Sequence, residues 1–496
     1  MSSEREQSVV SAVPKQLFIG GQWRDASGGR TLDVEDPATG EVLCGVADAT
    51  ADDAMAALDA AVAVQEEWRD TAPRERGEIL RRAFELLHER SDDLALLMTL
   101  EMGKSLQESK GEITYAAEFL RWFAEEAVRI EGRWSRNTAG GTGRLLTMRQ
   151  PVGPCLLITP WNFPMAMGTR KIGPAVAAGC TMVFKPAQLT PLSALALTDI
   201  MREAGLPDGV LNTVTSSSSG SVMGPLINDP RTRKLTFTGS TEVGRKLMEQ
   251  AAPQLLRLSM ELGGNAPFLV FDDADLDLAV EQAVIAKMRN IGQSCVAANR
   301  FHVHESVVEE FTARLAERLG GMTVGRGTDA GVEIGPLIDD DQRGKVAELV
   351  EDAVAKGAEV RVGGKATEGP GYFYEPTVLG NVPSDARILK EEVFGPVAPV
   401  TSFTTEEEAL RLANDSEFGL VAYVFTRDLS RSLRVSEQLE VGMLGLNKGL
   451  ISNPAAPFGG VKASGFGREG GHEGLEEYTS TKYVALDVQS ASGHTS

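Results

Sequence analysis

The sequence predicts an α/β protein of two doubly wound, Rossmann-like domains plus a β-hairpin oligomerisation arm. Three observations carry that prediction. Short apolar runs alternate with helical patterns through residues 155–271, a second alternating region spans 301–423, and residues 133–150 turn Thr/Gly-rich and then alternate. Strand–helix alternation builds an open parallel sheet with helices on both faces, whereas a period of two with glycine punctuation builds a hairpin.

Along the chain, residues 51–68 and 74–102 carry apolar side chains at helical spacing, with Pro73 at a first helical position. The arm follows at 133–150. Strands are then expected at Cys155–Ile158, 181–184, 210–214, 234–237 and 267–271. After Lys185 a helix is marked by Thr190 as N-cap, Pro191 at N1 and Gly205 just beyond its end. In the second region, helices over 306–319 and 342–356 alternate with strands such as Glu359–Val362. The segment Glu261-Leu262-Gly263-Gly264 falls at the handover between the two regions. No internal repeat is visible, and the serine run 216–219 is short enough to be a loop.

Composition narrows the function. With 49 Lys plus Arg against 70 Asp plus Glu, the net charge is −21, a field that repels nucleic acid and anionic membranes. It also repels anionic substrates, so a site for one needs its own cations. Hydrophobic residues make up 42% of 496, ample for buried cores in about two to four domains. The start, Ser3-Glu4-Arg5-Glu6-Gln7, leads into no signal-like apolar stretch, and Gly and Pro break every other apolar run far short of a membrane span. A cytoplasmic address follows. Cys44, Cys155, Cys180 and Cys295 form neither a disulfide framework nor a CxxC site.

Some motifs are decoys. Gly465-Phe466-Gly467-Arg468-Glu469-Gly470 fits G-x-G-x-x-G, but no strand is expected before it and the chain is nearly finished, so it reads as a loop. Residues 237–244, Phe-Thr-Gly-Ser-Thr-Glu-Val-Gly, are better placed: a strand ends, glycines permit close backbone approach, and a helix begins whose N-terminus suits a pyrophosphate. Phosphate-loop and α/β-hydrolase signatures are lacking. His302 and His304 share a strand face and read as ordinary strand histidines; no metal is expected. Cys295, in Gly292-Gln293-Ser294-Cys295, would by itself read as a buried, inert thiol.

Seven motifs in order change that reading: Pro160-Trp161-Asn162-Phe163-Pro164, Lys185-Pro186-Ala187, the 237–244 turn, 261–264, 292–295, Glu392-Val393-Phe394-Gly395-Pro396 and Pro457-Phe458-Gly459-Gly460. Through them the chain resembles the aldehyde dehydrogenase superfamily from about Phe18 to Asp487. Within it the chain looks like the succinate-semialdehyde dehydrogenases, on residues 260–277, Arg289-Asn290 and 449–453. The resemblance implies an aldehyde dehydrogenase-like fold: an NAD(P)-binding domain of 1–131 and 152–261, a catalytic domain of 262–480, and an arm and C-terminal strand of 132–151 and 481–496. It implies a homodimer or homotetramer.

The same likeness assigns roles. Cys295 is the nucleophile that makes a tetrahedral centre able to release hydride, and its thiolate needs an environment favouring the anion, such as backbone amides near a helix terminus. Asn162 and the Cys295 N–H hold the oxyanion, and Glu261 is the base that hydrolyses the thioester, most effective if burial raises its pKa. Thr159, Pro160, Trp161, Lys185, Gln188, Gly239, Ser240, Gly244, Glu392 and Phe394 are implied as cofactor-binding. Arg170, Arg289 and Ser452 are implied to hold a carboxylate remote from the aldehyde, a group that guanidinium forks match.

Three departures from the family stand out. Gln188 replaces a glutamate that in many NAD⁺-using members repels a 2′-phosphate, which tips the expected cofactor from NAD toward NADP. Ala297 stands where some semialdehyde relatives carry a second cysteine, so a disulfide switch there is absent. Ser216 replaces a glycine usual at the adenine end. Succinate semialdehyde is the expected substrate. Glutarate semialdehyde, a generic aldehyde, ester hydrolysis by the same cysteine, or a binding protein that has lost its chemistry stand as alternatives.

Overall fold

A computed structural model describes residues 3–488 and holds two large sheets and a three-stranded arm. The first sheet runs in the order Gln22–Arg24, Leu17–Ile19, Leu211–Thr213, Met182–Lys185, Cys155–Ile158, Lys234–Thr238, Arg257–Glu261, Gly465–Phe466. Its five middle strands are parallel. They are near-continuous apolar runs because both faces are covered. Leu156, Ile158 and Val183 pack against the helix Ala51–Asp70 on one side. Cys155, Leu157, Met182 and Phe184 pack against the helices Pro164–Ala178 and Pro191–Glu203 on the other, the alternation a pleat requires.

From Cys155–Ile158 the chain steps outward through Met182–Lys185 to Leu211–Thr213, then returns to place Lys234–Thr238 on the opposite flank. The order therefore reverses between Cys155–Ile158 and Lys234–Thr238. A crevice opens at such a switch point beyond the carboxyl ends of the strands. The loops leaving those two ends carry Pro160-Trp161-Asn162 and Gly239-Ser240.

Residues 262–265 then cross to the second sheet, ordered Glu359–Val362, Thr377–Gly380, Val397–Phe403, Ala298–His304, Ala266–Val270, Val421–Phe425, Met443–Leu446 and parallel except at its first strand. Glu261 thus ends a strand of one sheet a few residues before the other begins. In the arm, Gly143–Pro151 pairs with Arg133–Arg136 and, over nine residues, with Thr479–Asp487. Residues 489–496 of the expected C-terminal strand lie outside the described residues. Among the described residues no helix is long and apolar enough to cross a membrane.

The structure departs from the sequence expectations in five places, the first being Gly465–Phe466, which is read as a loop and is an edge strand of the first sheet. The helix expected over 74–102 is two, Pro73–Glu89 and Ser91–Met102, broken at Arg90, whose guanidinium turns out to Glu203 at 2.6 Å. The strand Arg257–Glu261 was not foreseen, nor the N-terminal helix Ser3–Ala12, which buries Val9 and Val10 and pairs Glu6 with Arg326. At Pro191–Glu203 the N-cap is Thr190 by position only. Its hydroxyl donates to the Trp161 carbonyl, and the N–H groups of Leu192 and Ser193 are instead taken by the buried Glu101 carboxylate at 2.7 Å each.

Candidate active site

The nucleophile candidate is set by an unusual turn. The helix Leu276–Met288 ends, and Asn290 (φ 55°), Ile291 (φ 62°) and Gly292 (φ 73°) follow in left-handed conformations that reverse the chain toward the crevice. Only glycine fits at 292, where a Cβ would lie 2.2 Å from the Gly395 carbonyl. For a β-branched residue such as Ile291 this backbone costs about 1–3 kcal/mol and persists only when its surroundings impose it. Here Glu108 accepts the Asn290 N–H, and the Asn290 amide donates to the carbonyls of Asn162 (3.0 Å) and Gln293 (2.8 Å).

Cys295 emerges from this turn half-buried, lining a 220 Å³ cavity with Asn162, Trp161, Ser240, Glu392 and Phe394. Burial, then the charges of Glu261 and Glu392, push its thiol up to about 12. An anion-favouring surround is therefore not what this structure provides. Cys295 sits in a turn before the strand Ala298–His304 rather than at a helix N-terminus, and it faces carboxylates.

Glu261 ends the strand Arg257–Glu261, and neither carboxylate oxygen has a hydrogen-bond partner among the described residues. Burial and the neighbouring Glu469 raise its pKa well above the carboxylate range, against the pull of Arg170 and Lys171. Its backbone carbonyl accepts the Gly239 N–H at 3.0 Å, tying the candidate base to the 237–244 turn. Asn162 follows the strand Cys155–Ile158. Its side-chain oxygen accepts the Phe163 N–H at 3.1 Å, and its Nδ2 donates to the Gln293 carbonyl at 3.1 Å.

The other expected residues fall into two groups. Pro160, Trp161, Gly239, Ser240, Glu392 and Phe394 line the Cys295 cavity, with the Trp161 and Phe394 rings edge-on at 5.4 Å. Ser240 caps the helix Thr241–Ala251 by accepting the Val243 N–H, and Gly244 lets that helix lie against Leu262, which a Cβ would meet at 2.4 Å. Glu392, drawn up to about 7 by burial, accepts the Gly264 N–H at 3.1 Å. Thr159, Lys185 and Gln188 lie apart from this cavity. Thr159 N–H donates to the Lys185 carbonyl at 3.3 Å, burial lowers the Lys185 ammonium to about 8, and Gln188 is exposed.

Toward the second sheet, Arg170, Arg289 and Ser452 meet Cys295 around a 10 Å³ gap, walled by Tyr115, Phe163 and Phe458. A 530 Å³ cavity beyond Arg289 and Ser452 leads on from it. The two arginines differ. Arg289 donates to the Ser452 hydroxyl at 3.0 Å, lies 4.9 Å over the Phe163 ring, and has no carboxylate within ion-pair distance among the described residues. Arg170 is buried over the Phe458 ring with Nη2 2.8 Å from Glu469, an ion pair in which its Nε and Nη2 make no hydrogen bond among the described residues. Glu469 also binds Lys171.

The profile of the aldehyde dehydrogenase family matches residues 23–484. This chain belongs to that family. A succinate-semialdehyde dehydrogenase of Paenarthrobacter nicotinovorans is 60% identical over 90% of this chain and 99% of its own. A glutarate-semialdehyde dehydrogenase of Pseudomonas putida is 52% identical over 96% and 98%. The crystal structure of an NADP-dependent enzyme of Escherichia coli superposes with a TM-score of 0.95 at 52% identity, covering 96% of this chain and 98% of that one.

Sequence reasoning missed residues that this aldehyde dehydrogenase brings to the cavity. Gln342 and Lys345 line it from one face of the helix Asp340–Ala355, and the Gln342 amide donates to the carbonyls of Val393 and Phe394, steadying Phe394 at φ 51°. Their signal was only an i, i+3 pair after an aspartate run. Lys171 and Glu469 were hidden in a helix and in the decoy glycine motif. His302 is a core residue, sharing a 2.7 Å hydrogen bond with Thr401 while burial draws its ring down to about 3.

Proposed function

We propose that the chain oxidises succinate semialdehyde to succinate through a thiohemiacetal and a thioester on Cys295, with NADP⁺ favoured over NAD⁺. The observation that carries the substrate is Arg289 beside Ser452, in the same gap as Cys295 and with no carboxylate within ion-pair distance among the described residues. A guanidinium without an acidic partner in a chain of net charge −21 is a place for an anionic group.

The lining of the 220 Å³ cavity suits a dinucleotide. Trp161 and Phe394 form an aromatic slot, Ser240 stands at the N-terminus of an eleven-residue helix, Lys345 adds a cation and Glu392 offers an acceptor for ribose hydroxyls. When bound, the cofactor's nicotinamide supplies the hydride acceptor.

Cys295 loses its thiol proton to solvent, and the thiolate adds to the aldehyde carbon as the C=O π bond opens, forming a C–S bond and an oxyanion held by the Asn162 amide and the Cys295 N–H. After loss of hydride the carbon is a thioester. Glu261 then takes a proton from water as it attacks that carbon, and the C–S bond breaks to release the acid and the thiolate. Hydrolysis must quicken as pH rises through the raised pKa of Glu261, because only its carboxylate accepts the proton.

Glutarate semialdehyde is the second reading, favoured by the 52% identical relative that bears that name and by the 530 Å³ cavity beyond the arginine. We also read the chain as a cytoplasmic homodimer or homotetramer, supported by Trp134 and Tyr483, 60% and 58% exposed on the arm. Measuring kcat/KM for succinate semialdehyde, glutarate semialdehyde and an uncharged aldehyde with each cofactor tests the reading. Preference for the uncharged aldehyde removes the carboxylate site from it.

A further inference from the structure

We propose that Lys104 is a positioning residue for Asn162, its buried ammonium polarising the oxyanion donor through the 162–163 peptide. The proposal rests on Asn162 holding the oxyanion. Lys104 follows the helix Ser91–Met102 and its side chain is 1% exposed. Nζ donates to Glu112 at 2.5 Å and to the Asn162 backbone carbonyl at 2.8 Å. The other Glu112 oxygen accepts the Met165 and Ala166 N–H groups at 2.9 and 3.1 Å, so the pair is clamped to the first turn of the helix Pro164–Ala178.

From that carbonyl the hydrogen bonds continue in one direction. The peptide that accepts from Lys104 donates, through the Phe163 N–H, to the Asn162 side-chain oxygen at 3.1 Å. The same side-chain amide presents Nδ2, with one N–H given to the Gln293 carbonyl and its second without an acceptor among the described residues. Each amide in such a chain polarises the next, and the effect is strong where the dielectric is low. A positive charge at the far end therefore makes Nδ2–H a better donor to an oxygen that gains negative charge as the reaction proceeds. Asn290, donating to the same carbonyl at 3.0 Å, reinforces it. Burial lowers the Lys104 pKa and the 2.5 Å ion pair with Glu112 opposes that lowering, while the glutamate charge is itself spread over two helix N–H groups.

The test is a stopped-flow burst of NADPH formation from succinate semialdehyde, its rate read separately from its amplitude, which counts active sites. Lys104→Met should slow the burst rate about tenfold with the KM for NADP⁺ unchanged, and Lys104→Arg should recover most of that loss. In an Asn162→Ala background Lys104→Met should cost less than about twofold more, because its effect passes through the missing amide. An unchanged burst rate, or the same loss in both backgrounds, overturns the proposal. If Lys104→Met does not fold, Asn290→Gly keeps the left-handed backbone and removes the second donor. It should slow the burst about threefold and only when Asn162 is present, and no slowing overturns the proposal. An Asn162→Ala enzyme with a normal burst removes the oxyanion role first, and the single variant reads that failure separately.

Discussion

Burial, and after it the charges of Glu261 and Glu392, outweigh the pull of Arg170 and hold Cys295 as a thiol at neutral pH in the protein alone. Alkylation of Cys295 by iodoacetamide, followed by peptide mass spectrometry, should be slow at pH 7 and rise about tenfold per pH unit toward pH 10. Oxidised nicotinamide carries a positive charge, so NADP⁺ should quicken labelling at fixed pH; a plateau near pH 8 without cofactor would show a low pKa instead. The two arginines separate in the same way. Arg289→Ala should lower kcat/KM about ten- to a hundredfold for succinate semialdehyde and leave an uncharged aldehyde nearly untouched. Arg170→Ala should slow both substrates, because it removes one of the two cations beside Glu469 and Glu261 and drives the Glu261 pKa further up. Equal, charge-selective losses in both variants would mean that Arg170 also reaches the carboxylate. The sequence showed which residues to watch, since Cys295, Glu261, Asn162 and Arg289 stand in short motifs. It did not show that Arg170 is ion-paired, because Glu469 is 299 positions away in sequence numbering and lies inside a glycine motif that reads as a loop.

At the scale of elements, strands were legible where apolar runs are buried on both faces, as at Cys155–Ile158, and helices where proline and glycine punctuate them, as at 191 and 205. Caps supplied from a distance were not. Glu101 and Glu112, from the helices Ser91–Met102 and Leu106–Glu126, cap the helices that follow two central strands, across separations of 91 and 53 residues. Local spacing cannot reveal such partners. Glu101→Ala leaves two buried N–H groups unsatisfied, and chemical denaturation should show a loss of about 2–4 kcal/mol. Burial holds the Glu101 acid up to about 7, so the folded state binds the extra proton. Its contribution to stability is therefore greatest below the unfolded pKa and declines as pH rises toward 7, and Glu101→Gln should flatten that slope. A variant as stable as the parent would mean water reaches those amides.

For the whole molecule, a net charge of −21 surrounds a site that takes an anion, with local cations inside. The repulsion acts at long range and is screened within about 10 Å at 0.1 M salt, whereas the contact proposed for Arg289 is short-range in a partly desolvated gap. Raising salt from about 10 mM to 0.1 M should thus increase kcat/KM for succinate semialdehyde and leave an uncharged aldehyde flat; a decrease would mean that the cations dominate the approach. Glu261, at the end of a strand of the first sheet, lies close enough for its charge to raise the Cys295 pKa, and the account turns on the covalent step proposed for the two. Intact-mass spectrometry of Glu261→Gln mixed with succinate semialdehyde and NADP⁺ tests it most directly. The account predicts one NADPH per active site and a protein heavier by a single succinyl group that maps to Cys295, with neither in Cys295→Ala. Steady NADPH production with no adduct, or an adduct on another residue, would contradict it.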